Sequence, residues 1–206
     1  MTKVDLAYRA LKKLYPKLTQ DSKTSMREMV AAIGNARDEI VSRNAWDAWS
    51  KDAMEDIIWE GVISTYQEQS PIKDTRTNEW YLTLPFKPLV LPKNMGIYQI
   101  TPCNNNFEYY QVPSTFNSMF SNSPAKNLEG DSGYYLRGNE IRFTAAQTEE
   151  TKLDIHAVVS SEDIDEDDYF PFPADKENMI IDLAVEKYSI QKQIPEDLSD
   201  NNLSDS

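Results

Sequence analysis

Trp80-Tyr81-Leu82-Thr83-Leu84 is the point at which the hydrophobic period of the chain changes. From here on apolar residues alternate with polar ones, and aromatic and β-branched side chains dominate, which is the pattern of half-buried strands. Segments 96–101, 107–112, 134–137, 140–144 and 152–159 repeat it between polar turns. Gly138-Asn139 separates two of them and is a two-residue hairpin signal, because both residues tolerate positive φ. Pro85, Pro88 and Pro92 punctuate the apolar run 86–91. The Ser-, Asn- and Pro-rich stretch 113–131 is too long for a simple hairpin and reads as an irregular surface loop.

Upstream of Trp80 the period is helical. Val4, Ala7, Leu11 and Leu14 fall on one face of a short first helix that Pro16 closes. Thr19-Gln20-Asp21-Ser22 offers N-cap residues for a second helix, of about 20 residues, with Met26, Met29, Val30, Ile33, Ile40 and Val41 on its apolar stripe. Gly34 interrupts that stripe without ending it. Trp46, Trp49, Ala53, Ile57, Ile58, Gly61 and Val62 predict a third helix that fades in the polar run 67–70 before Pro71. Residues 1–77 therefore read as a helical domain and 78–161 as a β-rich one.

Residues 162–192 read as an acidic loop, a Pro-rich turn and a last helix. Tyr169-Phe170-Pro171-Phe172-Pro173 is extended, since each residue before a proline is pushed out of the helical region. Asp175 is placed to cap the helix, whose Met179, Ile180, Ile181, Leu183, Ala184, Val185, Tyr188 and Ile190 cover more than one face. A helix apolar on several faces is buried on several sides. Pro195 ends it, and 193–206 is an acidic tail expected to be flexible. The expected fold is α+β: an N-terminal helical bundle, a sandwich- or barrel-like β middle, and a C-terminal helix packing back on the helices.

The chain's 206 residues suffice to bury a core without disulfides or metal. One Cys and one His cannot supply the common zinc patterns or a disulfide, and a reducing compartment is the default. No apolar run reaches the ~18 residues of a spanning helix, and residues 1–16 carry Lys3, Asp5, Arg9, Lys12 and Lys13 where a signal peptide would be apolar, so no membrane role is expected. The net charge of −13 is uneven. Residues 1–77 balance 12 basic against 12 acidic side chains, whereas 162–168 holds six acids and 193–206 four, with no base in either. The basic cluster Arg9, Lys12, Lys13 and Lys17 reads as a solvated helix face, and no basic stripe suits a phosphate backbone.

Motifs for catalysis are missing. There is no Gly-x-Ser-x-Gly elbow, no phosphate-cradling Gly-rich loop followed by Lys and no His-Glu-x-x-His. Cys103 and His156 lack a third, orienting residue, and His156, between Ile155 and Ala157, reads as a half-buried structural histidine. Asp163, Asp165 and Asp167 match the first three ligand positions of a calcium loop, but Asp168 stands where Gly is needed and Ala174 where Glu is needed. Trp46, Trp49, Trp59 and Trp80 read as core or interface anchors. Tyr109, Tyr110, Tyr134 and Tyr135 offer the alternative of a carbohydrate- or receptor-binding accessory module. No cofactor, metal or catalytic residue is expected.

The run from Tyr169 through Pro171-Phe172-Pro173-Ala174-Asp175 and Met179-Ile180-Ile181-Asp182-Leu183-Ala184-Val185-Glu186-Lys187-Tyr188 is followed by Gln191, Pro195-Glu196-Asp197 and Asp200-Asn201-Asn202. This set resembles the C-terminal part of head-to-tail connector (adaptor or ring) proteins of short-tailed bacteriophages, especially the crAss-like group. Long helices ahead of a strand-rich middle are similar to that family too, so the resemblance spans most of the chain. It implies a structural, non-catalytic virion protein at the portal vertex, made in the host cytoplasm. It also implies a dodecameric ring that contacts the portal protein and neighbouring ring or tail proteins, and DNA passing through the channel without specific binding. By position Ile180, Leu183, Ala184, Lys187, Tyr188, Ile194, Leu198 and Leu203 are the interface candidates. The acidic excess suits a wall that must not hold DNA. Deleting residues 193–206 is expected to weaken association with a portal in a pull-down, and unchanged recovery would discard a role for the tail.

Overall fold

The computed structural model describes residues 1–15, 22–51, 58–103, 107–113, 133–144, 147–148 and 150–193. The protein is α+β and divides into two compact units: residues 1–62 with 164–206, and residues 63–163. The β-rich unit is thus an insertion in the helical one, and the chain passes between them at 62/63 and 163/164.

The helical unit is built from α1 (Lys3–Leu14), α2 (Ser22–Ser50) and α3 (Glu177–Gln193), each in contact with the other two. A reciprocal capping box starts α1: the Asp5 amide donates to Thr2 Oγ1 and the Thr2 amide to Asp5 Oδ2, each at 3.1 Å. Those bonds also hold the Asp5 carboxyl below its ordinary range. The buried face of α1 is Lys3, Leu6, Ala7, Ala10 and Leu11, so the expected stripe is rotated and Val4 and Leu14 are half-buried. Alanine at positions 7, 10, 36, 45 and 184, all fully buried, lets the three backbones approach closely while Leu6, Met29, Ile33 and Ile180 fill the space between.

α2 runs unbroken through Gly34 and includes Trp46 and Trp49. The second and third expected helices are therefore one as far as Ser50, because nothing between Val41 and Trp46 breaks a helix. Residues 52–57 and the capping candidates Thr19, Gln20 and Asp21 lie outside the described residues. Beyond Ser50 the expectation of helix to residue 70 fails: a single 3₁₀ turn, Glu60–Val62, leads into strand β1 (Ser64–Gln69). Asp175 is not an N-cap, since it sits inside a 3₁₀ turn, Ala174–Lys176, that runs directly into α3.

The inserted unit holds two sheets. In one, β1 and β4 (Ile97–Pro102) flank β8 (Leu153–Ala157), all antiparallel. The other has the order β2 (Ile72–Lys73), β3 (Trp80–Thr83), β7 (Glu140–Phe143), β6 (Gly133–Arg137), β5 (Tyr110–Gln111), with only the β5–β6 pair parallel. Gly138, at φ 62°, makes the β6–β7 turn as its sequence predicts. Alternation places Leu82, Ile141, Phe143 and Tyr134 on the core face of the five-stranded sheet. Tyr109 joins the two sheets, its amide donating to the Ile100 carbonyl at 2.9 Å while its ring meets Phe143 edge-on at 5.3 Å.

On the other face Arg142 is buried between Tyr81 and Tyr135, its registered neighbours. Its guanidinium lies 5.5 Å from the Tyr81 ring centre and pairs with Glu79 at 2.9 Å and Glu140 at 2.8 Å. Burial opposes its charge, but the hydrogen bonds to Glu140 and Glu79 outweigh that and raise its pKa further.

Both crossings of the chain are fixed by one side chain. Arg37 of α2 is fully buried, pairs with Asp38 at 2.8 Å, and donates at 3.4 Å both to the Val62 carbonyl, where the chain leaves the helical unit, and to the Pro171 carbonyl, after it has returned. Trp59 meets Phe172 edge-on at 5.7 Å, and a Cβ on Gly61 would stand 3.0 Å from the Pro173 nitrogen, so the outgoing and returning segments touch. Arg37→Ala removes the guanidinium that serves both carbonyls and leaves a cavity. It is expected to cost about 3–5 kcal/mol of stability, read from urea denaturation, with Arg37→Lys recovering little because an ammonium lacks the fork; a loss below about 1 kcal/mol would contradict this role.

Candidate functional site

The return segment carries the densest charge in the molecule and is held along the start of α1. The Val4 amide donates to the Glu166 carbonyl at 3.5 Å and the Phe170 amide to the Met1 carbonyl at 2.9 Å. The Lys3 ammonium, itself buried, donates to the Ile164 carbonyl. Lys3 and Arg37 lie 5.8 and 5.7 Å from the centre of the Phe170 ring. Burial pushes the pKa of Lys3 and of Arg37 below the usual values, with nearby acids opposing the shift. The backbone is thus fixed from one side by buried cations, leaving the side chains of Asp165, Glu166, Asp167 and Asp168 exposed on the other. Glu166 and Asp165 lie close enough to Lys3 to oppose the effect of burial on its charge, and all four acidic residues are exposed to solvent.

The interface candidates on α3 divide by burial. Ile180 and Ala184 have no exposed surface and Tyr188 is 3% exposed, its hydroxyl donating to Glu28 of α2 at 2.9 Å. All three are core of the helical unit, because the side of the helix expected to meet a partner is occupied by α1 and α2. Leu183 is half-buried, and Lys187 pairs with Glu39 of α2. Arg9 pairs with Glu177 at 2.9 Å and Lys13 with Asp182 at 2.6 Å, which places two members of the basic cluster on the α1–α3 seam. Ile194, Leu198 and Leu203 lie outside the described residues, as does 114–132 of the long loop.

Cys103 and His156 are kept apart by register: His156 faces Thr65 and Gln99, while Cys103 lies beyond Pro102, which pairs with Leu153. His156 is half-buried as expected, its Nδ1 2.9 Å from Thr65 Oγ1. Desolvation and the hydrogen bond from Cys103 Sγ to Asp154 at 3.2 Å push the thiol up, away from the thiolate a nucleophile needs. Asp163 accepts from the Lys87 amide, and no three His, Cys, Asp or Glu residues gather to hold a metal among the described residues. Nor is any helix among them long and apolar enough to cross a membrane. Of the four tyrosines considered for stacking, Tyr109, Tyr134 and Tyr135 are buried and only Tyr110 is exposed.

Two apolar features stand on the surface. One is a pocket of about 600 Å³ in the β-rich unit, between the Pro-punctuated stretch 84–91 and the β6–β7 turn. Its wall is tied to the neighbouring backbone: the Leu89 amide donates to the Val158 carbonyl and the Val158 amide to the Gly96 carbonyl, each at 2.8 Å. A Cβ on Gly96 would stand 2.3 Å from the Leu89 carbonyl oxygen, so glycine alone permits this approach. The other is the Trp46–Trp49 pair near the end of α2, edge-to-face at 5.4 Å and 51% and 40% exposed. The prolines at 85 and 88 signal a loop, but nothing local in the sequence tells that Leu136 would complete a pocket with them.

No family model matches this chain, and no curated protein matches it. The placement of α3 separates two substitutions. Ile180→Asp is expected to unfold the helical unit, losing at least about 3 kcal/mol, whereas Lys187→Ala breaks a part-exposed pair and should cost under about 1 kcal/mol. Thermal melts of both variants check this, and a stable Ile180→Asp protein would show that α3 is not packed as described.

Proposed function

We propose that this chain is a structural virion protein, a ring adaptor between a portal and a tail that continues the DNA channel. The reading begins from the resemblance of residues 169–202 to head-to-tail connectors of short-tailed phages. The observation that carries it is the fixed acidic ridge 165–168, four exposed carboxylates on a backbone held by Lys3, Val4 and Arg37.

A disordered acidic run solvates itself, but a fixed one presents the same field in every copy. At physiological salt that field reaches about 8 Å. Repeated around a closed ring, the ridge would keep the phosphate backbone off the wall and let the duplex slide, the reverse of the Lys/Arg lining that binds DNA. The insertion topology also suits an adaptor, since it gives one chain two separately packed units with which to meet two neighbours.

A tagged copy expressed during infection, purified with crosslinking mass spectrometry, tests the reading. Recovery of portal and tail proteins with crosslinks to Lys176 and Lys187 of the α3 region is expected. Recovery of neither, or of surface receptors and glycans instead, would overturn it.

A further inference from the structure

We draw no further inference here: the strongest candidate, the apolar pocket of the β-rich unit between residues 84–91 and the β6–β7 turn, carries nothing because nothing in the structure shows what covers it.

Discussion

The buried guanidinium of Arg37 is the constraint around which the molecule is organised. With about a hundred residues inserted between Val62 and Ile164, the helical unit closes only if its outgoing and returning segments are brought together, which is a demand on its packing. Arg37 meets that demand by serving the Val62 and Pro171 carbonyls at once. The Gly61–Pro173 approach and the Trp59–Phe172 contact close the same gap by packing. Inside the β-rich unit, β1 and β8 continue the arrangement, since the first and last strands are paired neighbours. Lys3 extends it outward, and the acidic ridge is fixed as a consequence. A fully buried cation is costly unless its donors are used, and here they are used where the topology is weakest.

Much of this architecture is legible in the sequence, for identifiable reasons. α1, α2 and α3 follow from apolar residues at helical spacing, and β3, β4, β6, β7 and β8 from alternation of aromatic and β-branched residues around clear turns. β1 is not legible, because Ser64-Thr65-Tyr66-Gln67-Glu68-Gln69 is an edge strand with one apolar side chain to place, Tyr66, which stacks on Phe86 at 4.2 Å. Its bulge, with Glu68 at positive φ, disrupts the alternation further. The strand's Ser-Thr-Tyr opening is the one signal that would have found it. A helical stripe ending in Val62 hid it instead.

The interface candidates illustrate the other limit. A helix apolar on several faces announces that it is buried, but not by what, and α1 and α2 turn out to cover Ile180, Ala184 and Tyr188. The surfaces left open, Trp46 with Trp49 and the pocket completed by Leu136, depend on residues brought together by topology. The acidic run was visible as composition; its fixation by Lys3 and Arg37 was not, since nothing in a linear pattern says that residues 3 and 37 meet residues 164 and 171.

Exposed acids on a fixed backbone are the feature on which the proposed role as a conduit for a polyanion rests. The most direct measurement of the proposed role is a cryo-electron microscopy reconstruction of the tail vertex of the short-tailed phage proposed to carry this chain. The account predicts a closed ring of copies between portal and tail with Asp165, Glu166, Asp167 and Asp168 lining the channel. A vertex without this chain, or a ring that turns those carboxylates away from the lumen, would contradict it.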